Sequence, residues 1–144
     1  MNEGQYQKDV IAALEARGWA VQAHNDEANF IPDLSFSANY VDGWIELKWA
    51  DKLPKTLGSI KHWTKGQEEW LSKRGRAGSG HCYLLLGTPK LHVLWRWTEL
   101  ARVRNMQMTA FPKAPICALT LAKLEAPSLA IMAAQMDGYV TFKG

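Results

Sequence analysis

The sequence predicts a mixed α/β fold, a mixed central sheet flanked by helices, and three observations carry that expectation. Two segments, residues 3–17 and 65–74, show helical periodicity bounded by capping signals. Extended runs at 19–24, 31–36 and 44–49 lie between them, and two more at 81–87 and 91–97 follow. Residues 81–87, His-Cys-Tyr-Leu-Leu-Leu-Gly, are almost continuously apolar, as expected of a strand covered on both faces. The order is therefore α-β-β-β-α-β followed by a further strand.

Taken in order, the first helix gathers Tyr6, Val10, Ile11 and Leu14 on one stripe and stops at Gly18. Glu3 extends that stripe at its N-terminal end, because positions 3, 7, 10 and 14 follow at helical steps, whereas Glu15 falls outside with Lys8 and Ala12. A first strand at 19–24 leads into a polar turn at 24–29, where His24, Asp26 and Glu27 are either solvated turn residues or auxiliary ligands. Ile31-Pro32-Asp33-Leu34-Ser35-Phe36 and Trp44-Ile45-Glu46-Leu47-Lys48-Trp49 then form a hairpin, with Asp42-Gly43 as the turn signal. Strand alternation sends Glu46 and Lys48 to one face and Ile45, Leu47 and Trp49 to the other, into a core. Whether Asp33 meets them depends on register.

After Ala50, residues 51–59 read as a loop. Thr64 and Gln67 have the spacing of a capping box at the start of the second helix, and Gln67 also shares a face with Trp70, Leu71 and Arg74. Residues 74–80 look like a flexible glycine-rich link. In the last strand, His92 and Arg96 share the face opposite Leu91, Val93 and Trp95, as on an edge strand with a polar side or one meeting a charged partner. Thr98 caps a short helix to about residue 104. Beyond it, Pro112, Pro115 and Pro127 divide apolar stretches, with a helix near 128–136, where Met132 and Met136 pack, and a strand at 139–142.

A chain of 144 residues suits one domain, 1–144, with a core over about 3–97 and an extension over about 98–144. Cys82 and Cys117 are far apart and show no metal-ligand spacing, so two reduced thiols are expected. No apolar run is long enough to span a membrane and the N-terminus lacks the regions of a signal peptide, which together point to the cytoplasm. Net charge is only +3, yet residues 48–76 hold eight basic against three acidic side chains. Such a concentration is either a solvated face or a phosphate-binding one.

Asp33, Glu46 and Lys48 form a Pro-Asp followed by Glu-x-Lys. The pattern resembles the PD-(D/E)XK nuclease superfamily, with its restriction-endonuclease-like core, and within it the small virus-type replication-repair (VRR-NUC-like) nucleases and Holliday-junction resolvases. The resemblance covers about residues 3–97. It implies that Asp33 and Glu46 hold Mg²⁺ or Mn²⁺, joined by the Leu47 carbonyl and by Glu3 from the first helix, and that Lys48 orients the attacking water or stabilises charge on the phosphate. Gln67, followed by Trp70 and Leu71, matches a glutamine that related nucleases carry at the start of this helix. Helix-end roles remain open for both: dipole complementation for Glu3 and the capping box for Gln67. Ile31 stands where many related small nucleases have glycine before the Pro-Asp.

The implied function is a metal-dependent endonuclease that hydrolyses DNA phosphodiester bonds, selective for junctions or flaps, in replication, recombination or repair, in a bacterium or a phage-infected host cell. Lys52, Lys55, Lys61, Lys65, Lys73, Arg74 and Arg76 would contact DNA. The two symmetric strands of a four-way junction would favour a homodimer. The alternative from another class is a nucleic-acid-binding module without catalysis, using residues 48–76 and a tryptophan stacking surface. A third reading makes Asp33, Glu46 and Lys48 an ordinary surface ion pair in a partner-binding protein.

Overall fold

The computed structural model describes residues 1–25, 27–89, 91–105, 117–120 and 126–140. Helix α1 (Glu3–Glu15) is followed by β1 (Ala20–Ala23), a 3₁₀ turn at Glu27–Asn29, and the hairpin β2 (Leu34–Ala38) and β3 (Val41–Trp49). A second 3₁₀ turn (Leu57–Ser59) precedes α2 (Lys65–Ala77), β4 (Cys82–Gly87), β5 (Leu91–Arg96), α3 (Trp97–Val103), β6 (Cys117–Thr120) and α4 (Ala126–Tyr139). The strands form one sheet in the order β1-β2-β3-β4-β5-β6. All neighbours are antiparallel except β3 and β4, which run parallel because α2 crosses over between them. None of the described helices is long and apolar enough to cross a membrane.

The sheet has a core on each face. On one side α1 lays Tyr6, Val10 and Leu14 against Leu34, Phe36, Ile45, Leu47, Leu85 and Leu94, and α4 adds Met132 and Met136, which are fully buried. Each such side chain contributes roughly 1.5–3 kcal/mol. On the other side Leu71 of α2 and Leu100 of α3 cover Leu84, Leu86, Val93 and Trp95. Asn2 caps α1 through the Gln5 amide, and Gly18 leaves that helix at φ +87°, a conformation glycine tolerates without cost.

The hairpin turns at Asn39-Tyr40, not at Asp42-Gly43. Both turn residues have positive φ, 54° and 66°, and Ala38 pairs directly with Val41, as in a two-residue primed turn. Asn39 earns its place through tertiary contacts: its amide donates to the carbonyls of Asp137 and Val140 at the end of α4. Gly43 is inside β3, where a Cβ would lie 2.1 Å from the His81 carbonyl oxygen and against the Phe36 ring. The glycine thus answers a close backbone approach rather than a turn.

Four other expectations are corrected. Helix α2 continues through residues 74–77 instead of loosening into a link, because Gly75 is buried where the Trp97 ring presses on the helix. The same ring fixes the start of α3 at Trp97, directly after β5, so Thr98 lies inside the helix and is not its cap. β5 is not an edge, since β4 and β6 flank it, and His92 is buried, bonded through Nδ1 to the Tyr6 hydroxyl at 2.8 Å. Arg96 turns back to donate to the Gly80 carbonyl. Tyr139, assigned to a terminal strand, ends α4, and residues 141–142 lie outside the described ones. Cys82 is a free, buried thiol, whereas Cys117 opens β6.

Candidate active site

The hairpin register decides which side chains meet. Leu34 pairs with Ile45, so the next residues outward, Asp33 and Glu46, face each other where β2 begins. β3 continues four residues further with β4 as its partner on one side. On the other side its odd-numbered amides have lost β2, and buried N–H groups must find acceptors. Asp33 supplies one: the Leu47 amide donates to its Oδ2 at 2.8 Å. Glu3, at the start of α1, lies near the next one, the Trp49 amide, which draws its carboxyl pKa down against the larger rise from burial. The carboxylates gather where β3 outruns its partner, and the Leu47 carbonyl faces the same way as its amide.

Glu46 and Lys48 project from the opposite face to Ile45 and Leu47, and both are 3% exposed. Lys48 Nζ lies 3.0 Å from Glu46 Oε2 and donates to the His62 carbonyl at 2.9 Å. Gln67 Nε2 donates to the same Glu46 oxygen at 3.1 Å, and the Asp33 amide donates to Oε1 at 3.2 Å. Three donors on one carboxylate are the environment of an ionised acid. Burial and then repulsion from Asp33 nevertheless push the Glu46 carboxyl well above its ordinary range, against the pull of Lys48. Burial likewise raises Glu3, with Lys48 opposing and Asp33 reinforcing the shift.

Gln67 fills both of its predicted roles at once. Its Oε1 accepts from the Thr64 amide while Thr64 Oγ1 accepts from the Gln67 amide, closing the capping box. The remaining amide nitrogen is thereby aimed at Glu46. Together Glu3, Asp33, Glu46, Lys48 and Gln67 line one cavity of about 410 Å³, with Phe30, Ile31, His62 and Thr64 completing its wall.

Phe30 and His62 are the lining residues that sequence reasoning missed. Both hold positive φ, 61° and 65°, uncommon for side chains of this size. His62 turns its carbonyl onto Lys48, while the Phe30 ring rests on Gly66, where a Cβ would come within 2.6 Å of it. Only Gly66, one residue inside the capping box, hinted at such a contact.

Lys52, Lys55, Lys61, Lys65, Lys73, Arg74 and Arg76 are all exposed, and none of them lines the cavity. Arg74 sits 4.8 Å from the Trp70 ring and Arg76 6.0 Å from that of Trp97. His24 stands beside the site: its amide donates to the Asp33 carbonyl, and its ring bonds Ser35 and leans on Trp44. Asp26 and the Glu27 side chain lie outside the described residues. Burial pushes the Cys82 thiol up to about 11, leaving it poorly suited to nucleophilic chemistry.

Among the described residues no three His, Cys, Asp or Glu side chains are grouped as a metal site. The donor set still fits Mg²⁺, which keeps several waters and takes one or two carboxylates. Asp33 and Glu46 provide such a pair, beside the Leu47 backbone and Glu3, and three carboxylates share the cavity with the Lys48 ammonium, a negative balance that a cation would relieve.

No protein-family model and no curated protein matches the chain. Among solved structures it is similar to Hjc of Archaeoglobus fulgidus, a Holliday junction resolvase from an archaeal hyperthermophile. Identity is 18%, the TM-score is 0.59, and the match covers 90% of this chain and 98% of that one. The likeness is one of architecture: the chain has a resolvase-like, restriction-endonuclease-like mixed α/β fold.

Proposed function

We propose that the chain is a metal-dependent endonuclease that hydrolyses DNA phosphodiester bonds with selectivity for branched or flapped structures, as a single nuclease domain. The observation that supports this most is the convergence of Asp33, Glu46, Lys48, Glu3 and Gln67 on one cavity, at the unpaired end of β3. The likeness in fold to a Holliday junction resolvase agrees with it.

Asp33, Glu46 and the Leu47 carbonyl would hold Mg²⁺ or Mn²⁺, with Glu3 at the rim. That cation supplies charge neutralisation at the scissile phosphate and acidifies a water. Lys48, held by Glu46 and the His62 carbonyl, keeps a fixed positive charge beside the phosphate and orients the attacking water. Gln67 joins Lys48 on Glu46 Oε2 and the Asp33 amide holds Oε1, so that neither oxygen reorients as charge develops. The exposed lysines and arginines of the 52–76 segment contact the flanking phosphates. A junction substrate, cut on two symmetric strands, calls for a homodimer.

The test is cleavage of labelled duplex, single-stranded, flap and four-way-junction DNA with Mg²⁺, Mn²⁺ or EDTA. Cleavage of a branched substrate that EDTA abolishes is expected. Binding without cleavage of any substrate would instead assign the chain to the non-catalytic nucleic-acid binders.

A further inference from the structure

We infer that the sheet face beside the candidate active site is a track for a short single-stranded segment of DNA next to the scissile phosphate. α2 covers β3 and β4 but stops short of β1 and β2, so the face bearing Gln22, Ser35, Ser37 and Trp44 is open as a groove of about 790 Å³. The inference rests on reading the adjoining cavity as a nuclease site, because the two lie on the same strands. Ser35 follows Asp33 by two residues and Trp44 precedes Glu46 by two, and side chains two apart share a face.

A row of rings crosses the strands beside the cavity, from His24 after β1 to Trp70 on α2, with Trp44 lining the groove. The His24 and Trp44 rings are 5.2 Å apart, Trp44 meets Trp70 edge-on at 5.0 Å, and the Arg74 guanidinium lies 4.8 Å from the Trp70 ring. Gln67, one turn before Trp70 on α2, holds Glu46, so helix and strand step away from the site together. From Glu46 past Trp44 to Asp42 the strand advances about 13 Å. At duplex rise that accommodates roughly four nucleotides, and fewer when the strand is drawn out.

The chemistry favours unpaired bases over duplex. Trp44 and Trp70 are only partly buried, and stacking on such rings requires bases whose faces are not already stacked on their neighbours. Arg74 at the far end supplies charge for the backbone, while Asp42, the carboxylate among the described lining residues, accepts from the Ser37 hydroxyl. Gln22 offers an exposed amide to base edges. The track extends the nuclease reading toward substrates that carry a single-stranded stretch at the cut.

The test reads binding apart from cleavage. Octathymidylate and a blunt hairpin duplex are titrated in EDTA against the whole chain, following tryptophan emission, with circular dichroism confirming the fold of each variant. Octathymidylate is expected to quench emission and to bind more tightly than the hairpin duplex, with Trp44→Ala and Arg74→Glu each weakening its affinity about tenfold and Trp44→Phe retaining most of it. Lys8→Glu, on the outer face of α1, is expected to leave it unchanged. Should Trp44→Ala not fold, Arg74→Glu and Trp44→Phe carry the experiment alone. Failure of octathymidylate to bind, or equal affinity of wild type and Arg74→Glu, overturns the track even where junctions are cleaved. Binding weakened by Arg74→Glu without cleavage of any substrate upholds the track and removes the nuclease.

Discussion

The two faces of β3 are buried to nearly the same depth with opposite chemistry. Ile45 and Leu47 are fully enclosed under α1, and Glu46 and Lys48 are equally withdrawn from water beside α2. Burial stabilises the first pair at roughly 25 cal/mol per Å². For the second pair burial carries a desolvation cost that their mutual attraction only partly offsets. One strand therefore holds a stabilising face and a costly, charged one, and the charged one is where the proposed phosphodiester chemistry would take place.

The comparison is broken most directly through activity. Glu46→Gln or Asp33→Asn is expected to lower Mg²⁺-dependent cleavage of a branched substrate by roughly a thousandfold or more, with the fold intact. Unchanged rates would detach the charged face from catalysis. Next comes stability. Lys48→Met strands the Glu46 carboxylate and should cost about 3–5 kcal/mol in urea unfolding, whereas combining it with Glu46→Gln should recover most of that loss. Leu47→Ala, on the apolar face, should cost about 2–5 kcal/mol, and nothing on the charged face should restore it. An additive double variant would show that Glu46 and Lys48 are not coupled.

The apolar side has its own polar exception, which gives a smaller and pH-dependent effect. Burial lowers His92 from 6.5 to about 4. Its Nε2 has no partner among the described residues, and its Nδ1 meets only the Tyr6 hydroxyl. Below about pH 6.5 the unfolded chain takes up a proton that the folded one refuses, so stability is lost as pH falls towards 4. The difference in unfolding free energy between wild type and His92→Gln should shift in the variant's favour across that window. A constant difference would contradict the assignment. The smallest effect expected is that of Thr64→Ala, which removes one half of the capping box and should cost about 1 kcal/mol. If Thr64→Ala also lowers the cleavage rate, the box positions Gln67 for Glu46 as well as closing the helix.

Much of this site was legible because strands alternate. Glu46 and Lys48 fell on one face and Ile45 and Leu47 on the other from spacing alone, and the T-x-x-Q spacing placed Gln67 at the start of α2. Register was not legible. A turn at Asp42-Gly43 would pair Val41 with Trp44 and leave Glu46 opposite Asn39, far from Asp33. The Asn39-Tyr40 turn, which sequence gave little reason to choose, puts Asp33 opposite Glu46. Its stability comes from α4, a hundred residues away, through the Asn39 side chain. Phe30 and His62 were hidden for a similar reason: their positive φ values belong to two separate loops, one packed on Gly66 and the other bonded to Lys48. The fold class was readable from element order, but the burial of His92 was not, because the Tyr6 ring of α1 that covers it lies 86 residues away and leaves no mark on the periodicity of β5.

The unpaired end of β3 has one more consequence. The Leu47 amide is shielded from solvent exchange by the side chain of Asp33 rather than by a neighbouring strand. Its deuterium uptake and amide chemical shift therefore report on that carboxylate directly. Titrating a divalent cation while watching this one resonance would follow the filling of the site with no substrate present.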